Sequence, residues 1–86
     1  MQYKDTRSMA NAIRDEIDLY ISKSISREHC TEFIRGILSC EYNKRKLFKA
    51  KGLSSTVETV LGKDRLSLFK VVLKELGLDI WKNIWL

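Results

Sequence analysis

The chain lacks proline, and its 86 residues include only four glycines, two cysteines and one histidine. Three of the glycines, Gly52, Gly62 and Gly77, fall just past segments of periodic apolar residues, where a left-handed residue commonly ends a helix. No apolar run approaches the roughly 18 residues of a membrane-spanning helix. The N-terminus also lacks the continuous apolar segment of a secretory signal, so we expect a cytoplasmic protein.

The two cysteines and the histidine do not have the spacing of a metal site. Cys30 and Cys40 lie on one predicted helix, which places their α carbons about 15 Å apart, too far for a disulfide. We therefore expect two buried, reduced thiols. His29 falls in the first turn of the same helix and is expected to face solvent. These observations predict no metal and no cofactor.

The composition indicates a folded domain without catalytic motifs. Apolar residues make up 44% of the chain and charged residues 31%, with periodic placement, which is typical of a globular protein. A chain of this length forms one domain, here residues 1–86. It contains no glycine-rich phosphate loop, no recognisable carboxylate pair and no hydrolase elbow. We therefore expect no enzymatic activity.

Apolar residues recur at steps of three and four in the first half of the chain, which predicts two helices. Helix one is expected over about residues 6–22, with Asp5 or Thr6 as its N-cap. Helix two is expected to follow the N-cap Ser26 and to run to about Tyr42. Both helices are expected to bury their apolar faces in a common core.

The second half has two further helical segments and no alternating pattern, so we expect no sheet. Residues 43–51 form either a short helix or an ordered loop. A capping box of Ser55 and Glu58 opens helix three, which ends at Gly62. Asp64 is expected to cap helix four, which ends at Gly77. The fold class is all-α, a small bundle of four principal helices with a short aromatic C-terminal helix.

The last nine residues, LDIWKNIWL, contain both tryptophans of the chain and predict two helical turns after Asp79. Two interpretations stay open. Trp81 and Trp85 either fold back to complete the core, or they form, with Ile84, a docking surface for a second copy or another protein.

Positive charge is concentrated after Tyr42: residues 1–42 carry six Lys/Arg and seven Asp/Glu, and residues 43–86 carry ten and four. If Gly52 and Gly62 turn the chain back on itself, one basic face is formed by Lys44, Arg45, Lys46, Lys49, Lys51, Lys63 and Arg65. Such a face would bind phosphates. A solvated face without a partner is the alternative. Tyr42 and Phe48 flank the run and either stack on bases or belong to the core.

Residues 52–63, GLSSTVETVLGK, followed by Leu66, Phe69, Leu73 and Leu76-Gly77-Leu78, resemble the helix-turn-helix of small phage repressors and Cro-like regulators. The resemblance implies that Ser55, Thr56 and Thr59 face the DNA groove and that Lys63 contacts phosphates.

Over nearly its whole length the chain also resembles short uncharacterised proteins of Firmicute genomes, phages and mobile elements, and three segments carry this resemblance. These segments are AIRDEIDLY at residues 12–20, NKRKLF at 43–48 and LGKDRL at 61–66. This resemblance implies a regulatory or host-interaction role.

The leading hypothesis is a small phage or mobile-element accessory or regulatory protein that binds nucleic acid through the basic face between Lys44 and Arg65. The alternative is an inhibitor of a host or defence protein, which uses the basic face against an acidic surface or the tryptophan tail against an apolar groove. A third hypothesis is a structural homodimer joined through the tail.

Overall fold

The computed structural model describes residues 2–49 and 52–77, which form four helices and one pair of two-residue strands. In chain order these elements are α1 Thr6–Ile21, α2 Arg27–Leu38, α3 Glu41–Leu47, β1 Phe48–Lys49, β2 Gly52–Leu53 and α4 Ser55–Glu75. The predicted all-α bundle is confirmed. The aromatic C-terminal helix predicted after Asp79 lies outside the described residues. Within the described part, no helix has the length and apolar character needed to cross a membrane.

Two predicted helix caps are present in the first half. The Asp5 carboxylate accepts a hydrogen bond from the backbone N–H of Ser8 at 2.7 Å and begins α1. The Ser26 hydroxyl accepts one from the backbone N–H of His29 at 3.1 Å and begins α2. Between the two helices the chain turns at Lys23, whose φ is 64°. Local polar side chains therefore determine where both helices start.

The predicted end of helix two at Tyr42 is wrong, because α2 ends at Leu38 and α3 begins three residues later. The side chain of Asn43 is fully buried beneath this junction, and its Nδ2 donates to the carbonyl of Ile37 at 3.0 Å. That bond satisfies a carbonyl that the ended helix leaves without an intrahelical partner. Cys40 is consequently the N-cap of α3 and does not share a helix with Cys30.

The two cysteines are free, as expected, but only Cys30 is buried, while Cys40 is half-buried. Burial raises the pKa of the Cys30 thiol, and the nearby carboxylate of Glu16 raises it further. Cys30 is therefore held in its neutral form and packs as a small apolar side chain.

A short antiparallel ladder joins α3 to α4, with Phe48 opposite Leu53 and Lys49 opposite Gly52. The sequence predicted no sheet, and two residues on each side are too few to give a visible alternating pattern. Gly52 therefore belongs to a strand and does not end a helix. Next to the ladder, the backbone N–H of Ser54 donates to the carbonyl of Leu47 at 2.8 Å, which brings the start of α4 beside the end of α3.

The predicted boundary between helices three and four coincides with a break inside α4. Gly62 has φ 75° and ψ 174°, a non-helical conformation within Ser55–Glu75. Because Gly62 is the residue that leaves the helical conformation, Asp64 is not an N-cap. The N-cap of α4 is Ser54, one residue before the predicted Ser55, and its hydroxyl accepts from the N–H of Thr56 at 3.3 Å. The predicted end at Gly77 is present, with φ 73°.

The core lies mainly between α1 and α4, and α2 and α3 close its sides. Its buried apolar residues are Met9, Ala10, Ile13, Ile17, Cys30, Ile34, Ile37, Leu38, Leu47, Leu53, Val57, Leu61, Phe69, Val72 and Leu73. Two residues of the predicted faces are exposed instead. Ile21 is the last residue of α1, and Tyr42 lies on α3 and not on the inward face of α2.

Candidate nucleic-acid interface

Helix α3 carries three consecutive basic residues in its last turn, Lys44, Arg45 and Lys46. Cations are favourable at this end of a helix, where the backbone carbonyls leave partial negative charge. The ammonium of Lys46 lies over the ring of Tyr42, with Nζ 4.5 Å from the ring centroid. Tyr42 is 37% exposed. The helix therefore presents an aromatic ring among cations.

The N-terminal residues lie against this helix. The backbone N–H of Tyr3 donates to Asn43 Oδ1 at 2.9 Å, so the same buried amide that ends α2 also holds residues 2–4 beside α3. Two open depressions adjoin Tyr42, with volumes of about 390 and 420 Å³. Glu41, Tyr42, Arg45 and Lys46 line the first, and Gln2, Tyr3, Lys4 and Tyr42 line the second. Tyr42 thus separates two depressions that each contain a cation.

We call this region the α3 surface and define it by Lys4, Tyr42, Arg45 and Lys46. Lys44 lines neither depression, because residues two positions apart on a helix do not share a face. Two carboxylates border it. Asp5 has a lowered pKa, chiefly because it accepts the hydrogen bond from Ser8, and the positive charges of Lys4 and Lys46 contribute to the lowering. Glu41 lines the first depression. With three cations against two carboxylates, the α3 surface keeps a positive balance.

The sequence did not predict Lys4 as a site residue, because its excess of positive charge lies after Tyr42. Nothing in the local pattern places Lys4 beside residues 42–46, because that proximity depends on the hydrogen bond between Tyr3 and Asn43, 40 residues apart. The basic and aromatic character of Tyr3-Lys4 was the only signal available.

Arg65 does not join the α3 surface. Its Nε donates to Asp18 Oδ1 at 2.6 Å and its Nη2 to Asp18 Oδ2 at 3.3 Å, while Nη1 donates to the carbonyl of Leu61 at 3.3 Å. These bonds to Asp18 raise the pKa of Arg65. Asp5, beside Lys46, and Asp18 are separated along α1 by about 20 Å at 1.5 Å per residue. The predicted basic face is therefore divided.

The other predicted contact residues lie on α4 or in the connection before it. Ser55 and Thr59 are exposed, and Thr56 is half-buried. Lys63, just after the break at Gly62, is exposed. Only the backbone of Lys49, in β1, is described, and Lys51 lies outside the described residues. The predicted interface residues Trp81, Ile84 and Trp85 also lie outside them.

The connection between α3 and α4 is unlike that of a helix-turn-helix. Residues 48–54 lie between the two helices and contain the strand pair, whereas a helix-turn-helix joins its helices by a turn of about 3–4 residues. Phe48, which follows α3 directly, lies in β1. Ser55, Thr56 and Thr59 are therefore presented by a different supersecondary structure.

His29 is exposed, as expected, with 63% of its side chain accessible. Its Nε2 lies 3.5 Å from Oε2 of Glu16, a carboxylate oxygen that is buried. Within residues 2–49 and 52–77, no three His, Cys, Asp or Glu side chains are grouped so as to hold a metal ion. The predictions of no metal, no cofactor and no catalysis stay predictions.

In comparison with known proteins, residues 1–74 match the model of a family described as a conserved hypothetical protein, CLB_0814_fam. The family takes its name from a Clostridium gene, which agrees with the resemblance to Firmicute proteins. No curated protein and no solved structure matches the chain. The matched residues include all four helices of the described structure apart from the last residue of α4. The chain belongs to the CLB_0814_fam family.

Proposed function

We propose that this protein is a small accessory or regulatory protein that binds single-stranded nucleic acid through the α3 surface, without catalysing a reaction. The observation that carries the proposal is the exposed ring of Tyr42, which lies between two depressions lined by Lys4, Arg45 and Lys46. A net charge of +5 supports association with a polyanion.

The combination of a ring and cations favours a single strand over a duplex. Unpaired bases stack on aromatic side chains, and each stacked base contributes about 1–3 kcal/mol whatever its identity. Lys46 covers one face of the Tyr42 ring, so a base would stack on the other face while the cations contact the flanking phosphates. Bases inside a duplex are already stacked and would not reach the ring.

Titration with single-stranded DNA and RNA at several salt concentrations tests the electrostatic part. If Lys4, Arg45 and Lys46 all contact phosphates, the logarithm of the association constant should fall against the logarithm of salt with a slope of about −2.1. Replacing one contacting cation, as in Lys46→Gln, should reduce that slope by about 0.7. Lys23→Asn is the matched control, because Lys23 lies beyond the opposite end of α1.

Substitution of the ring tests the stacking part. Tyr42→Leu should weaken binding by about 1–3 kcal/mol and leave the salt slope unchanged, whereas Tyr42→Phe should bind nearly as well as the wild type. If Tyr42→Leu binds like the wild type, or if Lys23→Asn weakens binding as much as Lys46→Gln, the α3 surface is not the binding site.

An acidic protein surface is the second candidate partner, since the same three cations would bind carboxylates as readily as phosphates. By binding such a surface, the protein would inhibit a host or defence protein directly. The absence of nucleic-acid binding at low salt would favour it. Three further points also stay proposals. The protein belongs to a phage or mobile element, it is cytoplasmic, and it can form a homodimer through the tail.

A further inference from the structure

A carboxylate oxygen of Glu16, Oε2, is buried in the described part of the chain without a hydrogen bond. Glu16 lies on α1 and is 8% exposed, and Ile13 and Ile17 on the same helix belong to the core. A charged oxygen that is removed from water without a partner costs free energy, and most buried polar groups in folded proteins have a partner. The interactions of Glu16 are therefore incomplete.

The imidazole of His29, on α2, lies beside this oxygen. Its Nε2 is 3.5 Å from Oε2 of Glu16, too long for a good hydrogen bond. The backbone of His29 is held in place, because its N–H donates to the Ser26 hydroxyl at 3.1 Å. The side chain is 63% exposed, so the ring has room for the shift of less than about 1 Å that a charge-assisted bond requires.

We propose that a proton on His29 completes this contact: the imidazolium donates from Nε2 to Oε2 of Glu16 and holds the first turn of α2 against α1. A neutral imidazole carries one N–H, on either ring nitrogen, whereas the imidazolium carries an N–H on both and a positive charge. Histidine gains its proton between about pH 5 and pH 8, so the contact between α1 and α2 responds to pH in this range. This proposal does not rest on nucleic-acid binding by the α3 surface.

The other charged groups around this contact have partners or are distant from it. Three ion pairs are already formed, Arg14 with Asp15 on α1, Arg35 with Glu32 on α2, and Arg27 on α2 with Glu75 on α4. Helix α3 lies beside Asp5, about 16 Å along α1 from Glu16.

Two residues adjoin His29 on α2. Glu28 favours the imidazolium, whereas the positive end of the helix opposes it. Burial raises the pKa of the Cys30 thiol and the charge of Glu16 raises it further, so the thiol is neutral. Among all these groups, Glu16 alone has a buried oxygen without a hydrogen bond. Its carboxylate is therefore the group that gains most when His29 is protonated.

The direction of the effect follows from the state that contains the contact. The imidazolium meets Glu16 only in the folded protein, so the contact stabilises the fold fully below the ordinary histidine pKa of about 6.5. This contribution is lost as the pH rises towards 8. The proposal therefore predicts a protein whose α2 is held more firmly at mildly acidic pH.

Urea unfolding of the full chain at about pH 5.5 and about pH 8 tests the proposal, because histidine changes its charge between them. Glu16→Gln keeps the shape of the side chain and removes its charge. The unfolding constant of this variant, divided by that of the wild type, should be about fivefold larger at the acidic pH than at the basic pH. That factor is the upper end for exposed ion pairs, as expected when one partner is buried.

Two further variants complete the test. His29→Gln should show the same rise, and it keeps the test decisive if Glu16→Gln fails to fold, because His29 is exposed. Combining both substitutions should give no larger rise than either alone. Asp15→Asn is the matched control, since it removes a carboxylate next to Glu16 that is exposed and paired with Arg14. Its ratio to the wild type should be nearly equal at the two pH values.

Three results would overturn the proposal. Ratios for Glu16→Gln and His29→Gln that are the same at both pH values would show that the proton on His29 does not strengthen the contact. Ratios that are larger at about pH 8 would show that the neutral imidazole is the preferred partner. An equal rise in Asp15→Asn would assign the effect to the general charge of α1 and not to Glu16.

Discussion

The guanidinium of Arg65 forms two hydrogen bonds with the carboxylate of Asp18, from Nε at 2.6 Å and from Nη2 at 3.3 Å. The two residues are 47 positions apart, and their contact joins α1 to the part of α4 that follows the break at Gly62. Because its guanidinium is bonded to Asp18, Arg65 is not available to bind a phosphate near Lys46.

The first prediction concerns that contact. Arg65→Gln should leave the affinity for single-stranded nucleic acid and its salt slope unchanged, because Arg65 is distant from the α3 surface. Its effect on stability should be small, since the two side chains are 39% and 44% exposed and such pairs are screened by solvent. Parallel titrations of Arg65→Gln and Lys46→Gln measure this. A loss of salt dependence in Arg65→Gln would show that Arg65 contacts phosphates after all.

The second prediction concerns the break in α4. Gly62→Ala should destabilise the protein by about 1–3 kcal/mol, because φ 75° with ψ 174° is nearly restricted to glycine. A Cβ there would meet no atom within 4 Å, so the cost arises from the backbone and not from a clash. Urea unfolding measures the change.

Gly36→Ala supplies the control for Gly62→Ala. Gly36 lies within α2 and also has no atom within 4 Å of an added Cβ. Alanine is favoured over glycine at a helical position by about 1 kcal/mol, so this variant should be more stable than the wild type. If Gly36→Ala and Gly62→Ala change the free energy of unfolding equally, the break in α4 is not at Gly62.

The third prediction concerns Asn43, which joins three parts of the chain. Asn43→Ala leaves the N–H of Tyr3 and the carbonyl of Ile37 without this partner, and a buried polar group left unsatisfied costs about 1–3 kcal/mol. We expect a loss of stability in that range. Affinity for nucleic acid should also fall, because residues 2–4 are no longer held beside α3. Unchanged binding in a folded Asn43→Ala protein would exclude Lys4 from the site.

The fourth prediction concerns pH. The pKa of Asp5 is lowered in the folded protein, so its contribution to stability is present above the ordinary aspartate value of about 3.9 and is lost as the pH falls through the lowered value. Asp5→Asn keeps a capping side chain but does not titrate. The variant should therefore show a shallower loss of stability below about pH 4. Identical acid unfolding curves would contradict this assignment.

Helix positions were predictable where a local polar residue and an apolar stripe coincide. Asp5, Ser26 and Gly77 mark ends that the structure shares, and the inward positions of Phe69, Val72 and Leu73 follow from their spacing alone. The boundary between α2 and α3 was not predictable. It depends on a buried asparagine inside a run of basic residues, where local pattern favours a solvent-exposed side chain.

The candidate site was predicted only in part. Lys44, Arg45 and Lys46 were identified as a run of basic residues. Arg45 and Lys46 lie three and four residues after Tyr42 and share its helix face, whereas Lys44 does not. The sequence left two roles open for Tyr42, stacking on bases and packing in the core. Its exposure follows from the early end of α2, which places Tyr42 on α3.

By itself the sequence determined the class of the fold, the basic character of α3 and the glycines at which helices break or end, because each depends on residues within one or two turns. Only the tertiary structure decided which charges share a surface. It brought Tyr3 and Lys4 to α3 through Asn43 and gave Arg65 to Asp18. Both results depend on contacts between residues 40 or more positions apart, whose pairing is determined by how the helices pack and not by local periodicity.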